Sequence, residues 1–304
     1  MRFFSFQNAG GEYPELGASV ARGVPTAVFG VADPEKYLIA SLVEGRAVYI
    51  APDSLAAQRA HAAISALSGK KCVLLPAKDE VLTYRKALSK DALYKRLTAL
   101  YDWQTGADIL VTDIEAVVQL VPRRVEYFHL EAGKETGMDE LVGLLVRAGY
   151  TREYSVDGKG AFSVRGDILD IFPVNSEHPM RIDFFGDEVE SIKPYDEVTG
   201  ERYPLLPDLD IVAATDVVIG EGEIPKLRSA LAAELKHVRN AQAYTRLQAI
   251  AADLEAEEYR NDFVLPLLEN SGGFLRQAGS DALLIFDECK PMRDKLEGLY
   301  KEHW

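Results

Sequence analysis

The sequence predicts an α/β protein whose mostly parallel sheet is interrupted by a small β-rich domain. Three observations carry that reading. From about Val24 to Phe128, short apolar runs rich in β-branched residues alternate with amphipathic segments, as a parallel sheet with helices on its faces requires. Between Gly160 and Glu201 the period changes to apolar–polar alternation in short runs, the mark of antiparallel strands joined by turns. An apolar run, Ala282–Phe286, then returns near the end, so the α/β layer resumes and the β-rich block reads as inserted rather than tandem.

Taken in order, Thr26–Phe29 is the first expected strand, followed by a helix over Pro34–Leu42 with Asp33 as its cap. A strand at Ala47–Ile50 leads to a helix over Ser54–Leu67 capped by Asp53. Cys72–Leu75 and Ile109–Thr112 are the next strands, with a helix over Asp91–Trp103 between them and Ser89 as its cap. A helix over Met138–Ala148 ends at Gly149, and the β-rich block follows to roughly Asp210. Its strands break at Pro173–Pro179 and again at Gly186–Asp187, where Gly186, like Gly166 in the preceding hairpin, supplies a turn conformation closed to residues with a Cβ. From Pro225 to about Arg260 the abundance of Ala, Leu, Glu, Lys and Arg favours long helices. The expected division is therefore 1–127 and 211–304 as two parts of one α/β domain, with 128–210 as the small insertion.

Successive strand side chains point to opposite faces. Within Arg181–Phe185, Ile182 and Phe184 fall on one side, and Arg181, Asp183 and Phe185 on the other. An aromatic ring on an otherwise charged face is a candidate contact point for another protein. Phe172 is expected in the core, and Pro173 ends its strand.

Composition narrows the function. The 304 residues suffice for two or three domains, and 47% hydrophobic with 27% charged residues is ordinary for a soluble globular protein. A formal net charge of −14 argues against a general nucleic-acid binder, because phosphate neutralisation needs a basic surface. Cys72 and Cys289 stand apart among apolar residues and are expected to be reduced, buried thiols. Met1-Arg2-Phe3-Phe4 opens no signal-peptide core, and no apolar stretch reaches the ~18 residues of a membrane span. The expectation is a soluble, cytoplasmic protein without a membrane contact.

Catalytic chemistry is conspicuous by what is missing. Leu283-Leu284-Ile285-Phe286-Asp287-Glu288 has the form of a Walker B element, in which an acidic pair holds Mg²⁺. Its partner, a G-x-x-x-x-G-K-[ST] loop, does not occur. At the expected place the chain reads Phe29-Gly30-Val31-Ala32-Asp33-Pro34-Glu35-Lys36, where Asp33 and Glu35 would repel phosphate and Pro34 supplies no N–H. Ser68-Gly69-Lys70-Lys71 precedes a strand instead of opening a helix. The five histidines are scattered without metal-ligand spacing, and no nucleophile elbow occurs. Asp167 and Asp170 read as turn and edge residues of an acidic hairpin. No catalytic residue, cofactor or metal is expected, and no ATPase.

One stretch carries a family resemblance. Arg165-Gly166-Asp167-Ile168-Leu169-Asp170-Ile171-Phe172-Pro173, followed by Arg181-Ile182-Asp183-Phe184-Phe185-Gly186-Asp187-Glu188-Val189-Glu190-Ser191-Ile192, resembles the small UvrA-binding domain shared by UvrB and the transcription-repair coupling factors. Leu74–Glu80, Ile109–Thr112 and Leu283–Glu288 fall where the amino-terminal module of the coupling factors has similar elements. UvrB is the poorer match, since its phosphate loop, helicase motifs and DNA-clamping hairpin are absent. The resemblance implies a helicase-like parallel-sheet domain with a degenerate nucleotide site, and UvrA as partner. It implies Arg165, Arg181 and Phe185 as the residues that contact UvrA. RNA polymerase and DNA would be reached only through regions of a full-length protein outside this chain, and the same surface could serve autoinhibition there. The bland alternatives are surface ion pairs of the arginines with Asp183 or Asp167, and packing of Phe185 under the neighbouring turn.

Overall fold

The structure, a computed structural model, describes residues 11–78, 90–195, 203–219, 222–255 and 268–303. The expected cap Ser89, the pair Asp79-Glu80 and the helix limit near Arg260 lie outside the described residues.

Helices α1 (Tyr13–Ala21) and α2 (Asp33–Leu42) precede strand β1 (Ala47–Ala51), helix α3 (Ser54–Ser68) and strand β2 (Cys72–Leu75). Helix α4 (Lys90–Thr105), strand β3 (Ile109–Asp113) and the short helix α5 (Ile114–Val118) follow. Every residue of β1 and β3 is buried, as continuous apolar strands covered on both faces demand. Asp53 caps α3 as expected, its side chain accepting from the Ala56 amide at 2.8 Å. Ala57, Ala60 and Ile64 of that helix then pack on Tyr49, Ile109 and Val111.

Two early expectations fail. Residues 24–29 form no strand and are exposed, with Phe29 at 88%. A β-prone run becomes a strand only beside a partner, and no described strand pairs with this one. Asp33 is not a cap either: Ala32 holds that position, and Asp33 lies inside the first turn, 2.9 Å from Lys36 Nζ.

The middle of the chain holds strands β4 (Leu120–Pro122) and β5 (Tyr127–Glu131), helix α6 (Met138–Arg147), and strands β6 (Thr151–Arg152), β7 (Ala161–Arg165), β8 (Ile168–Ile171), β9 (Met180–Phe185), β10 (Glu188–Pro194) and β11 (Asp208–Val212). Among the described residues, β10, β9, β8, β7 and β6 form one sheet in that order, antiparallel except between β6 and β7. Gly166 (φ +62°) and Gly186 (φ +63°) close its two tight hairpins in the left-handed conformation expected of them. Phe162, Leu169, Ile171, Ile182, Phe184 and Ile192 are all buried. Phe172 is not part of that core. It is only half-buried, because alternation sets it two residues past Asp170 rather than on the side of Leu169 and Ile171.

Helices α7 (Ile224–His237) and α8 (Ala241–Glu255) pack Leu227, Leu231, Ile250 and Leu254 together with Val217 and Leu268. Strand β12 (Ser271–Gly273), helix α9 (Phe274–Ala278), strand β13 (Leu283–Phe286) and helix α10 (Cys289–His303) complete the chain. β13 joins β1 in parallel, giving the order β13-β1-β3-β2, so the α/β sheet does resume after the β-rich block. The expected buried thiols are a further correction. Cys72 is half-buried and Cys289, at the first residue of α10, is exposed; both are free.

The described residues fall into two compact units. The first comprises those up to Lys78, Asp102–Gln119 and those from Gly273 onward; the second comprises Leu120–Gly272 and the part of α4 up to Tyr101. In this grouping α7, α8 and the part of α4 up to Tyr101 accompany the β-rich sheet.

Candidate protein-docking surface

Strand register decides which side chains share the outer face of the β-rich sheet. Arg165 on β7 stands opposite Ile168 on β8, which stands opposite Asp183 on β9. One step down the strands, Ser163, Asp170, Arg181 and Lys193 form the next row. Phe185 lies two residues beyond Asp183, on the same side of β9. The three residues singled out from the sequence thus belong to one face.

Their environments differ. Phe185 is 79% exposed, so the ring is not packed under the neighbouring turn. Arg165 is exposed; its Nη2 donates to the Tyr154 carbonyl at 2.8 Å, and its guanidinium carbon lies 5.2 Å from the Tyr154 ring centroid. Arg181 is only half-exposed. Its Nε and Nη2 donate to the two Asp170 carboxylate oxygens at 2.7 and 2.8 Å, a bidentate pair with a buried carboxylate. The Tyr195 ring covers the guanidinium at 4.8 Å. Hydrogen bonding to Asp170 raises the Arg181 pKa further, against the opposing effect of burial. The ion-pair partner is therefore Asp170, which the sequence reading had placed among structural residues, and not Asp183 or Asp167.

Asp183 serves the neighbouring strand, accepting from Ser191 Oγ and Lys193 Nζ, each at 2.6 Å. Burial pushes its carboxyl up, but Lys193 and Ser191 together hold it below the usual carboxylate range. Sequence reasoning missed Tyr154, which is 91% exposed. It sits in Arg152–Lys159, a stretch without strand or helix period, where an aromatic among polar residues was the available signal.

The place of the absent phosphate loop has a geometry of its own. Lys36, in the first turn of α2, lies 2.9 Å from both Asp33 and Asp287. Asp287, at the end of β13, is buried, and Glu288 beside it has φ +61°. Burial lowers the Lys36 pKa but the two carboxylates outweigh it, and the net direction is upward. Burial and the Asp287 carboxylate push the Tyr49 hydroxyl far above the ordinary range. Lys36 thus bridges Asp33 and Asp287 in one ion-paired cluster.

Residues 128–216 match the family described as the UvrB interaction domain. The chain is 28% identical over 258 residues to the transcription-repair-coupling factor of Bacillus subtilis (strain 168), covering 78% of this chain and 22% of the relative. It is 35% identical over 172 residues to that of Myxococcus xanthus, covering 54% and 14%. It is 38% identical over 195 residues to the UvrABC system protein B of Synechococcus elongatus (strain ATCC 33912 / PCC 7942 / FACHB-805), covering 56% and 28%. The chain thus spans between 14% and 28% of the length of these relatives.

Proposed function

We propose that this chain, which carries a UvrB interaction domain within UvrB-homologous sequence, is the UvrA-recruiting module of a transcription-repair coupling factor acting in nucleotide excision repair. The observation that carries this reading is the exposed Phe185 ring on the outer face of the matched domain, with Arg165 on the same face. Aromatic and arginine side chains are the types that dominate interface energetics. The module acts by binding and has no ATPase of its own, because Lys36 is held by Asp33 and Asp287 where phosphate would need it free. Contacts with RNA polymerase and DNA belong to regions outside this chain, and the setting is cytoplasmic. No helix among the described residues is long and apolar enough to cross a membrane. The test is equilibrium binding of purified UvrA to the chain and to Phe185→Ala. Saturable binding weakened by that change supports the reading; binding indifferent to it removes the surface.

A second reading concerns the same face. The chain spans a small share of its relatives' length, and a longer parent offers material to cover Phe185 and Arg165 until UvrA is required. UvrA affinity that is lower for the longer protein than for this chain would support such masking.

A further inference from the structure

We infer that Tyr154 is a further member of the docking face, both a contact and the positioning residue for Arg165; this rests on the UvrA-docking reading through Phe185. Tyr154 is 91% exposed, more than Phe185 at 79%, so its ring contributes nothing to the core. Its backbone is nonetheless anchored. Thr151 and Arg152 pair with Ala161 and Phe162, and the Glu153 amide donates to the Phe162 carbonyl at 2.8 Å. A fixed backbone with an open ring is what a pre-organised contact needs, since little freedom remains to be lost on binding.

The approach of the ring to the Arg165 guanidinium gives the side chain its second role. Arg165 Nη2 donates to the Tyr154 backbone carbonyl, a bond that any residue at 154 would keep, and the guanidinium stands 5.2 Å from the ring centroid, so the ring adds a second constraint on the cation. A guanidinium has five N–H donors, and the carbonyl takes one, so Arg165 keeps a donor edge for a carboxylate. Arg181 has committed Nε and Nη2 to Asp170 and lies half-buried beside the Tyr195 ring. Arg165 is therefore, of the two arginines, the one better exposed to meet a partner's acidic group.

The layout is an aromatic, a cation and a second aromatic. Arg165 and Asp183 are two strand spacings apart and Phe185 lies two residues further along β9, which places Arg165 and Phe185 about 12 Å apart by strand geometry. Tyr154 extends the patch on the far side of Arg165. The partner surface that fits is a carboxylate flanked by two apolar recesses.

Purified UvrA titrated against the full chain tests this, with Tyr154→Ala, Tyr154→Phe, Arg165→Ala, the Tyr154→Ala/Arg165→Ala double variant and Phe185→Ala. Tyr154→Ala should weaken binding about tenfold and leave thermal melting unchanged, while Tyr154→Phe, which keeps the ring, should stay within about twofold. The double variant should lose less than the product of the two single losses, because the ring acts partly through the cation. Wild-type affinity in Tyr154→Ala alongside a weakened Phe185→Ala overturns this inference alone. Independent, multiplicative losses overturn the positioning role. Binding untouched by Phe185→Ala overturns the docking reading and this inference with it.

Discussion

At the scale of single residues, the two arginines of the proposed docking face sit in different environments. Arg165 is exposed and stacked, whereas Arg181 neutralises a carboxylate that is 3% exposed. Removing one partner of such a pair leaves the other buried and unsatisfied. Arg181→Ala is expected to destabilise the β-rich sheet by about 2 kcal/mol, discounted from the fully buried case because the guanidinium is partly solvated. Arg165→Ala and Phe185→Ala should leave the melting curve in place. Phe185→Ala should instead weaken UvrA binding about thirtyfold, or about 2 kcal/mol. Thermal melts beside binding titrations separate the effects, and an Arg181→Ala variant as stable as the parent would contradict the Asp170 assignment. The side of β9 on which each residue lies was legible from alternation alone. The partner of Arg181 was not, because the register that sets Asp170 opposite it joins two strands across a loop and is written in no local pattern.

At the scale of elements, the ladder between β5 and β11 is pinned by a titratable pair. His129 Nδ1 lies 2.6 Å from Asp210 Oδ1, and the Tyr101 hydroxyl donates to the other oxygen of the same carboxylate. The hydrogen bond to Asp210 is the main reason the His129 pKa is raised above its ordinary 6.5. A raised folded value means that the contribution of the pair is complete below pH 6.5 and is lost as pH climbs through the folded value. Hydrogen exchange along β5 and β11 should accelerate over that climb beyond its intrinsic pH dependence, and His129→Gln should flatten the excess. A second expectation concerns the core: Phe162→Ala, at a fully buried position, should cost about 3–5 kcal/mol, and the half-buried Phe172→Ala clearly less, as read by chemical denaturation. The same contrast shows where reading elements from sequence stops. Ala47–Ile50, Cys72–Leu75 and Ile109–Thr112 were visible because strands of a parallel sheet are mostly apolar, yet Thr26–Phe29 has the same look without a described strand to bond.

At the scale of the whole molecule, sequence order and spatial grouping part company. Tyr94 lies against Gly160, Thr98 donates to the Val174 carbonyl, and Tyr101 reaches Asp210, so α4 up to Tyr101 is built into the unit that holds the β-rich sheet. Composition could mark the change of period near Gly160 but not this docking of a helix from far upstream. A fragment cut at 128–210 should therefore melt below the intact chain, and one that begins before α4 should recover stability. Equal melting of the two fragments would argue that α4 is dispensable. The nucleotide-like corner yields its own expectation: no ATP turnover above a protein-free control, with or without DNA. Hydrolysis that disappears in Asp287→Asn would show that Lys36 and Asp287 release each other for catalysis.

The unequal exposure of the two thiols has a practical consequence. Cys289 faces solvent, while burial pushes the half-buried Cys72 thiol up and starves it of thiolate. A maleimide dye added in slight excess near neutral pH should therefore couple to Cys289 well ahead of Cys72. Cys289 belongs to the first unit, and Tyr154, Arg165 and Phe185 belong to the second. One fluorophore can thus be carried on the native sequence, and complex formation followed by anisotropy, without altering a side chain of the proposed docking face.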